Sequence, residues 1–218
     1  MEILFNTGGI ASTNSFLIAD ESTGKAVLFD APDHTVTPLL DEAQKRGWDI
    51  IGLWLTHGHF DHVADHALVT QRFPNAKVLI HRLDEPKLIK PPSIFLRASQ
   101  PFTIPPRHAD GYVEDEQKLT IGNLSLEVLF TPGHSPGHVC YHFPGEKVLV
   151  GGDLIIMQSI GRYDLPDSNV TDLVHSIQRV MALDPQTRLL CGHGEESTLA
   201  REQEENEAVG EIVARVGS

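Results

Sequence analysis

Residues 56–62 read Thr-His-Gly-His-Phe-Asp-His, directly after the apolar run Ile50-Ile51-Gly52-Leu53-Trp54-Leu55. Three imidazoles and a carboxylate crowd into the six positions from His57 to His62, at the end of an expected buried strand. Packing alone gives no reason to collect four such groups there. A metal does, because neutral imidazole nitrogens and carboxylate oxygens are ligands that Zn²⁺ or Fe²⁺ accepts. Whatever this chain folds into must therefore present the end of a central strand as a polar, ligand-bearing rim.

Three further ligand-type residues stand where apolar segments end. His134 follows Leu124–Phe130, Asp153 follows Lys147–Val150, and His193 follows Arg188–Cys191. Each has a glycine beside it, which permits close backbone approach and positive φ, and loops at strand ends are where rigid scaffolds present functional groups. A dinuclear assignment uses all seven residues: His57, His59 and His134 on one metal, Asp61, His62 and His193 on the other, and Asp153 bridging. Zinc is the expected metal, with iron or manganese suited to the same donors. A hydroxide between the two ions would be the nucleophile, with Asp61 and Asp153 fixing the metal pair. His138 reads either as a residue orienting a ligand or as a half-buried strand histidine. His34, His66, His81, His108, His142 and His175 read as structural or solvent-facing, and Cys140 and Cys191 as small core residues.

The rest of the chain alternates short strands and helices. A hairpin is expected from Ser15–Ala19 and Ala26–Asp30, and a helix from Thr37 to Arg46 that buries Leu39, Leu40 and Ala43 and stops at Gly47. Further helices are expected over Asp61–Phe73, Asp172–Leu183 and Leu199–Val216. Strands are expected at Lys77–Ile80, Lys118–Ile121 and Val139–Phe143. Residues 86–113 hold six prolines and no sustained periodicity, and read as a long loop or flap.

With 218 residues and no composition break, a single domain over 1–218 is the expectation. The formal charge of −13 argues against a nucleic-acid partner. No apolar run approaches the ~20 residues of a membrane span, and the first residues do not form a signal-peptide pattern. Two separated cysteines do not make a disulfide framework, so a reducing, cytoplasmic setting is expected. The expected state is a monomer or small homo-oligomer.

His57-Gly-His59-Phe-Asp61-His62, followed in order by His134, Asp153 and His193, resembles the metallo-β-lactamase superfamily over nearly the whole chain. That resemblance implies an α/β fold, a four-layer αββα sandwich with metals at one edge. Within the superfamily, Thr131-Pro-Gly-His-Ser-Pro-Gly-His138, Gly151-Gly-Asp153, Ser159-Ile-Gly-Arg162-Tyr-Asp164 and Gly192-His-Gly-Glu-Glu-Ser-Thr198 resemble the glyoxalase II (hydroxyacylglutathione hydrolase) group. The group implies a thioester hydrolase acting on a substrate such as S-lactoylglutathione. Many β-lactamases of the superfamily carry Cys where Asp153 stands, which speaks against antibiotic hydrolysis. Full-length glyoxalase II enzymes have a further helical domain that binds the glutathione carboxylate, whereas only 25 residues follow His193 here. The resemblance is thus to the short bacterial forms. Arg162 is the leading candidate for a substrate carboxylate, against a salt bridge to Asp164 or Asp167. Lys87, Lys90 and Arg97 are weaker candidates. The alternative activity is that of the similar persulfide dioxygenases, with one Fe²⁺ on His57, His134 and Asp153.

Overall fold

The computed structural model describes residues 1–91 and 103–214. They group into two compact units. The first comprises residues 1–113 with 120–124, and the second 114–119 with 125 onward.

The first unit is built on a sheet ordered β1-β2-β3-β4-β5-β6. It opens with β1 (Glu2–Gly8), which pairs antiparallel with β2 (Thr13–Asp20), and β2 with β3 (Lys25–Phe29). The chain then crosses over through α1 (Thr37–Arg46) to β4 (Asp49–Trp54), which lies parallel to β3, as a helical crossover requires. Pro38 at the start of α1 supplies a preset φ. Gly47, at φ 69°, ends the helix by donating its N–H to the carbonyls of Ala43 and Gln44. A left-handed residue there favours glycine.

Past β4 come α2 (Phe60–Val63), α3 (His66–Arg72), β5 (Lys77–Ile80), α4 (Glu85–Ile89) and β6 (Gly111–Tyr112). β4 has parallel partners on both sides, so the chain that leaves it starts from a fixed base. Leu17, Ala19, Ala26 and Leu28 alternate along β2 and β3 into one core with Leu39, Leu40 and Ile50.

The second unit carries the sheet β14-β13-β10-β9-β8-β7. Its strands are β7 (Lys118–Ile121), β8 (Leu124–Phe130), β9 (Val139–Phe143) and β10 (Val148–Gly152). A short hairpin follows, β11 (Ile155–Ile156) with β12 (Ser159–Ile160). Then α5 (Val170–Met181) crosses over to β13 (Arg188–Cys191), which pairs parallel to β10. The unit ends with β14 (Ser197–Thr198), α6 (Leu199–Glu205) and α7 (Glu207–Ala214).

Asn169 caps α5 by accepting the N–H of Asp172 at 3.1 Å. The inward face of α5, Leu173, Val174, Ile177 and Val180, is fully buried against Leu129, Cys140, Leu149 and Leu189. Each of those four side chains contributes about 2 kcal/mol.

The sequence-based expectations differ from this at several points. The helix expected over 61–73 is two helices, α2 and α3, broken at Ala64 and Asp65. The Pro-rich stretch holds α4 and β6, while Arg97 and residues 92–102 lie outside the described residues. The final helix is divided at Asn206 into α6 and α7. β1, the β11–β12 hairpin and β14 have no counterpart in the sequence reading.

Candidate metal centre

In the first unit, the chain leaving β4 is anchored by one carboxylate. Asp30, at φ 59° just after β3, accepts the Thr56 N–H on Oδ1 and the Thr56 hydroxyl on Oδ2, both at 2.8 Å. The same Oδ2 lies 2.8 Å from His62 Nδ1. A carboxylate only accepts, so His62 carries a proton on Nδ1, and Nε2 is the nitrogen left for a metal. His57 Nδ1 lies 3.0 Å from the Thr56 hydroxyl, whose proton goes to Asp30. His57 is therefore also protonated on Nδ1. Both rings are wholly buried.

Asp61 is held by the Thr13 hydroxyl, which donates to its Oδ2 at 2.9 Å. Gly58, between His57 and His59, donates its N–H to Asp84 Oδ2 at 2.7 Å. A Cβ at Gly58 would stand 2.8 Å from the Asp84 carbonyl oxygen. Asp84 Oδ1 is in turn paired with Lys87 at 2.8 Å. Lys87 thus serves the turn between His57 and His59, which gives this weaker substrate candidate a structural role.

In the second unit, His134 projects from the loop after β8. Gly133 before it has φ 136°, and a Cβ there would lie 2.3 Å from the Leu173 backbone. Only glycine admits that close approach of α5. The Gly133 carbonyl accepts the Asn169 N–H at 2.7 Å and the Pro132 carbonyl accepts the Ser176 hydroxyl at 2.7 Å, so α5 clamps the loop. His134 Nδ1 donates to the Arg162 carbonyl at 2.8 Å.

Asp153 follows β10, and its N–H donates to His138 Nε2 at 3.0 Å, while His138 Nδ1 meets the Thr131 hydroxyl at 2.9 Å. His138 therefore orients the Asp153 backbone by accepting a hydrogen bond, not by donating one. His193 follows β13. The parallel pairing of β10 with β13, continued by the Gly192 N–H to the Gly152 carbonyl at 2.7 Å, sets His193 beside Asp153.

The donor chemistry within each unit fits a metal. His57 Nε2 and His59 Nδ1 are 3.1 Å apart. In the second unit Asp153 Oδ2 lies 3.5 Å from His134 Nε2 and 3.2 Å from His193 Nε2. Two ligands on one tetrahedral Zn²⁺, with bonds of about 2.1 Å, are about 3.4 Å apart. Within the first unit His57, His59, Asp61 and His62, and within the second His134, Asp153 and His193, are thus His/Asp donors of the kind suited to divalent metals.

The Arg162 guanidinium forks onto Asp164, with contacts of 2.9 and 3.1 Å between side chains that are both more than half exposed. The alternative weighed for Arg162 is therefore present. The residue also lines a cavity of about 460 Å³ in the second unit, together with Ile160, Tyr163, Asp164, Glu211 and Ile212.

Asp30, Thr13 and Asp84 were missed by sequence reasoning. The one signal for Asp30 was a lone carboxylate closing the apolar strand Ala26–Phe29. Thr13 and Asp84 gave none.

Residues 8–193 match the metallo-beta-lactamase superfamily, and the chain belongs to that family. It is a hydrolase-type member with the His/Asp set described above, on the expected α/β fold. The hydroxyacylglutathione hydrolase of Maricaulis maris (strain MCS10) is 33% identical over 184 residues, covering 84% of this chain and 63% of the relative. The chain thus spans less than two thirds of that enzyme's length. The crystal structure of the BLEG-1 B3 metallo-beta-lactamase superposes with a TM-score of 0.87 at 30% identity, over 95% of this chain and 99% of that one. That of TTHA1623 in a di-iron-bound form gives 0.81 at 33% identity, over 94% and 98%. Among the described residues no helix is long and apolar enough to cross a membrane.

Proposed function

We propose that this protein is a dinuclear metallohydrolase that cleaves a thioester to a carboxylate and a free thiol, in a cytoplasmic setting. The observation that carries the reading is the 33% identity to a hydroxyacylglutathione hydrolase across 84% of the chain. His57, His59 and His134 would hold one ion, Asp61, His62 and His193 the other, with Asp153 shared. The ions would supply Lewis acidity and would lower the pKa of water toward neutrality.

The chain's own residues do the positioning. Asp30 and Thr56 hold His57 and His62 by Nδ1, which leaves Nε2 of each ring for a metal. Thr13 orients Asp61, and His138 fixes the backbone of Asp153. In the overall reaction the oxygen of water bonds to the acyl carbon and the C–S bond breaks, one water proton ending on the departed thiolate and the other released as the acid ionises. The thiolate departs without a general acid, because it is a good leaving group near neutral pH. Arg162 is the proposed contact for a substrate carboxylate and would exchange Asp164 for it. Zinc is the proposed metal, and the di-iron form of TTHA1623 supports iron as the competitor.

A second reading, β-lactam hydrolysis, is favoured by the likeness to BLEG-1, named as a B3 metallo-beta-lactamase. That likeness weakens the argument drawn from the absence of Cys at position 153. The deciding experiment measures thiol release from S-lactoylglutathione by metal-quantified protein, with nitrocefin hydrolysis and persulfide-dependent oxygen uptake in parallel. Thiol release that scales with metal content supports the thioesterase. Cleavage of nitrocefin alone, or oxygen uptake alone, overturns it.

A further inference from the structure

Glu202, on α6, is wholly buried, although nothing in the proposed chemistry uses it. Its carboxylate is an acceptor-only group and takes three donors. The Ser197 hydroxyl binds Oε1, while the Gln158 N–H at 3.0 Å and the Asn206 amide at 2.6 Å bind Oε2. The Asn206 amide also donates to the Ser159 carbonyl at 2.8 Å and the Ile156 carbonyl at 3.3 Å. Glu202 and Asn206 together therefore grip the turn of the β11–β12 hairpin by one N–H and two carbonyls. Gln158, in that turn, has φ 58°, a left-handed conformation that a non-glycine residue keeps only when its surroundings hold it.

The other end of the hairpin reaches the metal ligands. The Gly161 N–H donates to the Leu154 carbonyl at 3.2 Å. A Cβ on Gly161 would fall 1.7 Å from the Asp153 carbonyl oxygen, so the two backbones are in direct contact. The next carbonyl, that of Arg162, accepts the proton of His134 Nδ1. That bond sets the direction of the ring, and Nε2 is the nitrogen that faces Asp153.

We infer that Glu202 is a positioning residue for the metal centre. Through the clasped hairpin it holds the Arg162 carbonyl against His134 Nδ1 and so fixes which way the ring turns, with Nε2 toward Asp153. The inference rests on the metallohydrolase reading above for its consequence, but not for its test. Groups that orient metal-bound histidines typically change metal affinity by about 10–100-fold.

The test compares Glu202→Leu, which keeps volume and removes the acceptors, with Glu202→Gln. The glutamine can still accept from Gln158 and Asn206, and its amide can face Ser197. Asn206→Ala is the second variant should Glu202→Leu not fold. Two readouts are used. The His134 ring is followed by long-range ¹H–¹⁵N correlation in metal-free protein, and Zn²⁺ affinity is measured by competition with a chromophoric chelator. The expected result is one set of His134 ring signals with a hydrogen-bonded Nδ1–H in the wild type and in Glu202→Gln. In Glu202→Leu or Asn206→Ala, loss of that hydrogen-bonded Nδ1–H or a second set of ring signals is expected, with at least one Zn²⁺ bound about tenfold or more weakly. A folded Glu202→Leu or Asn206→Ala protein with the wild-type ring signal overturns the inference. If the wild type binds no metal, the metallohydrolase reading fails, and the ring signal still decides the positioning role.

Discussion

The Asp30 carboxylate oxygen Oδ2 stands 2.8 Å from His62 Nδ1, across 32 residues of sequence. The same carboxylate binds Thr56, so one side chain sets both the exit of the chain from β4 and the tautomer of a proposed ligand. Asp30→Asn keeps the size but offers one oxygen where two are used. Its affinity for Zn²⁺ is expected to fall about 10–100-fold, read by chelator competition on folded protein. Unchanged affinity would show that His62 needs no such partner.

Asp153 touches both His134 and His193 within the second unit. Asp153→Ala is expected to bind less than the full complement of metal and to lose nearly all turnover. Metal analysis and thiol release on the same sample check both. Retention of two ions and of activity would refute the bridging role.

Gly133→Ala places a methyl group 2.3 Å from the backbone of Leu173 at φ 136°. Overpacking and backbone strain together are expected to cost about 3 kcal/mol or more. A urea unfolding curve coinciding with the wild type would contradict the tight approach of α5.

Acid stability carries a signature of Asp20. The Ser22 hydroxyl first, and then the Asn123 N–H, hold its carboxyl well below its ordinary value of 3.8. A carboxylate depressed in the folded state contributes stability above its unfolded pKa and loses it as pH falls through the folded one. Wild type is therefore expected to lose its advantage over Asp20→Asn as pH drops below about 4. Parallel urea midpoints for the two proteins from neutral pH into acid would argue against this.

Cys140 and Cys191 are free and buried, and desolvation pushes the Cys140 thiol up to about 12. Neither is expected to react with Ellman's reagent in the native protein, while both react in denaturant. Rapid native labelling would place one of them at the surface.

Much of this was legible in the sequence because it is local. The strands β4, β8, β10 and β13 are short apolar runs, and the proposed ligands announce themselves by following them. The rest depends on contacts between distant positions. Thr13 reaches Asp61 across 48 residues, Asp84 reaches Gly58 across 26, and Glu202 reaches Gln158 across 44. A lone Thr, Asp or Glu in sequence does not reveal such a partner. β1 escaped notice because it mixes Asn6 and Thr7 with apolar residues and leaves Phe5 65% exposed. β11 and β12 are two residues each, too short for any period to register.

The glycines that hem in Asp153 have one more effect. A Cβ at Gly192 would lie 2.1 Å from its Oδ1, and Gly161 presses on its carbonyl from another direction. The carboxylate is thus set by backbone, before any ion arrives. Imidazole and carboxylate donors discriminate weakly among first-row divalent ions, and cellular supply then decides. The ion found in a purified sample should therefore record the growth medium as much as the sequence, and cells grown in iron-rich and zinc-rich media should yield the same fold with different occupants.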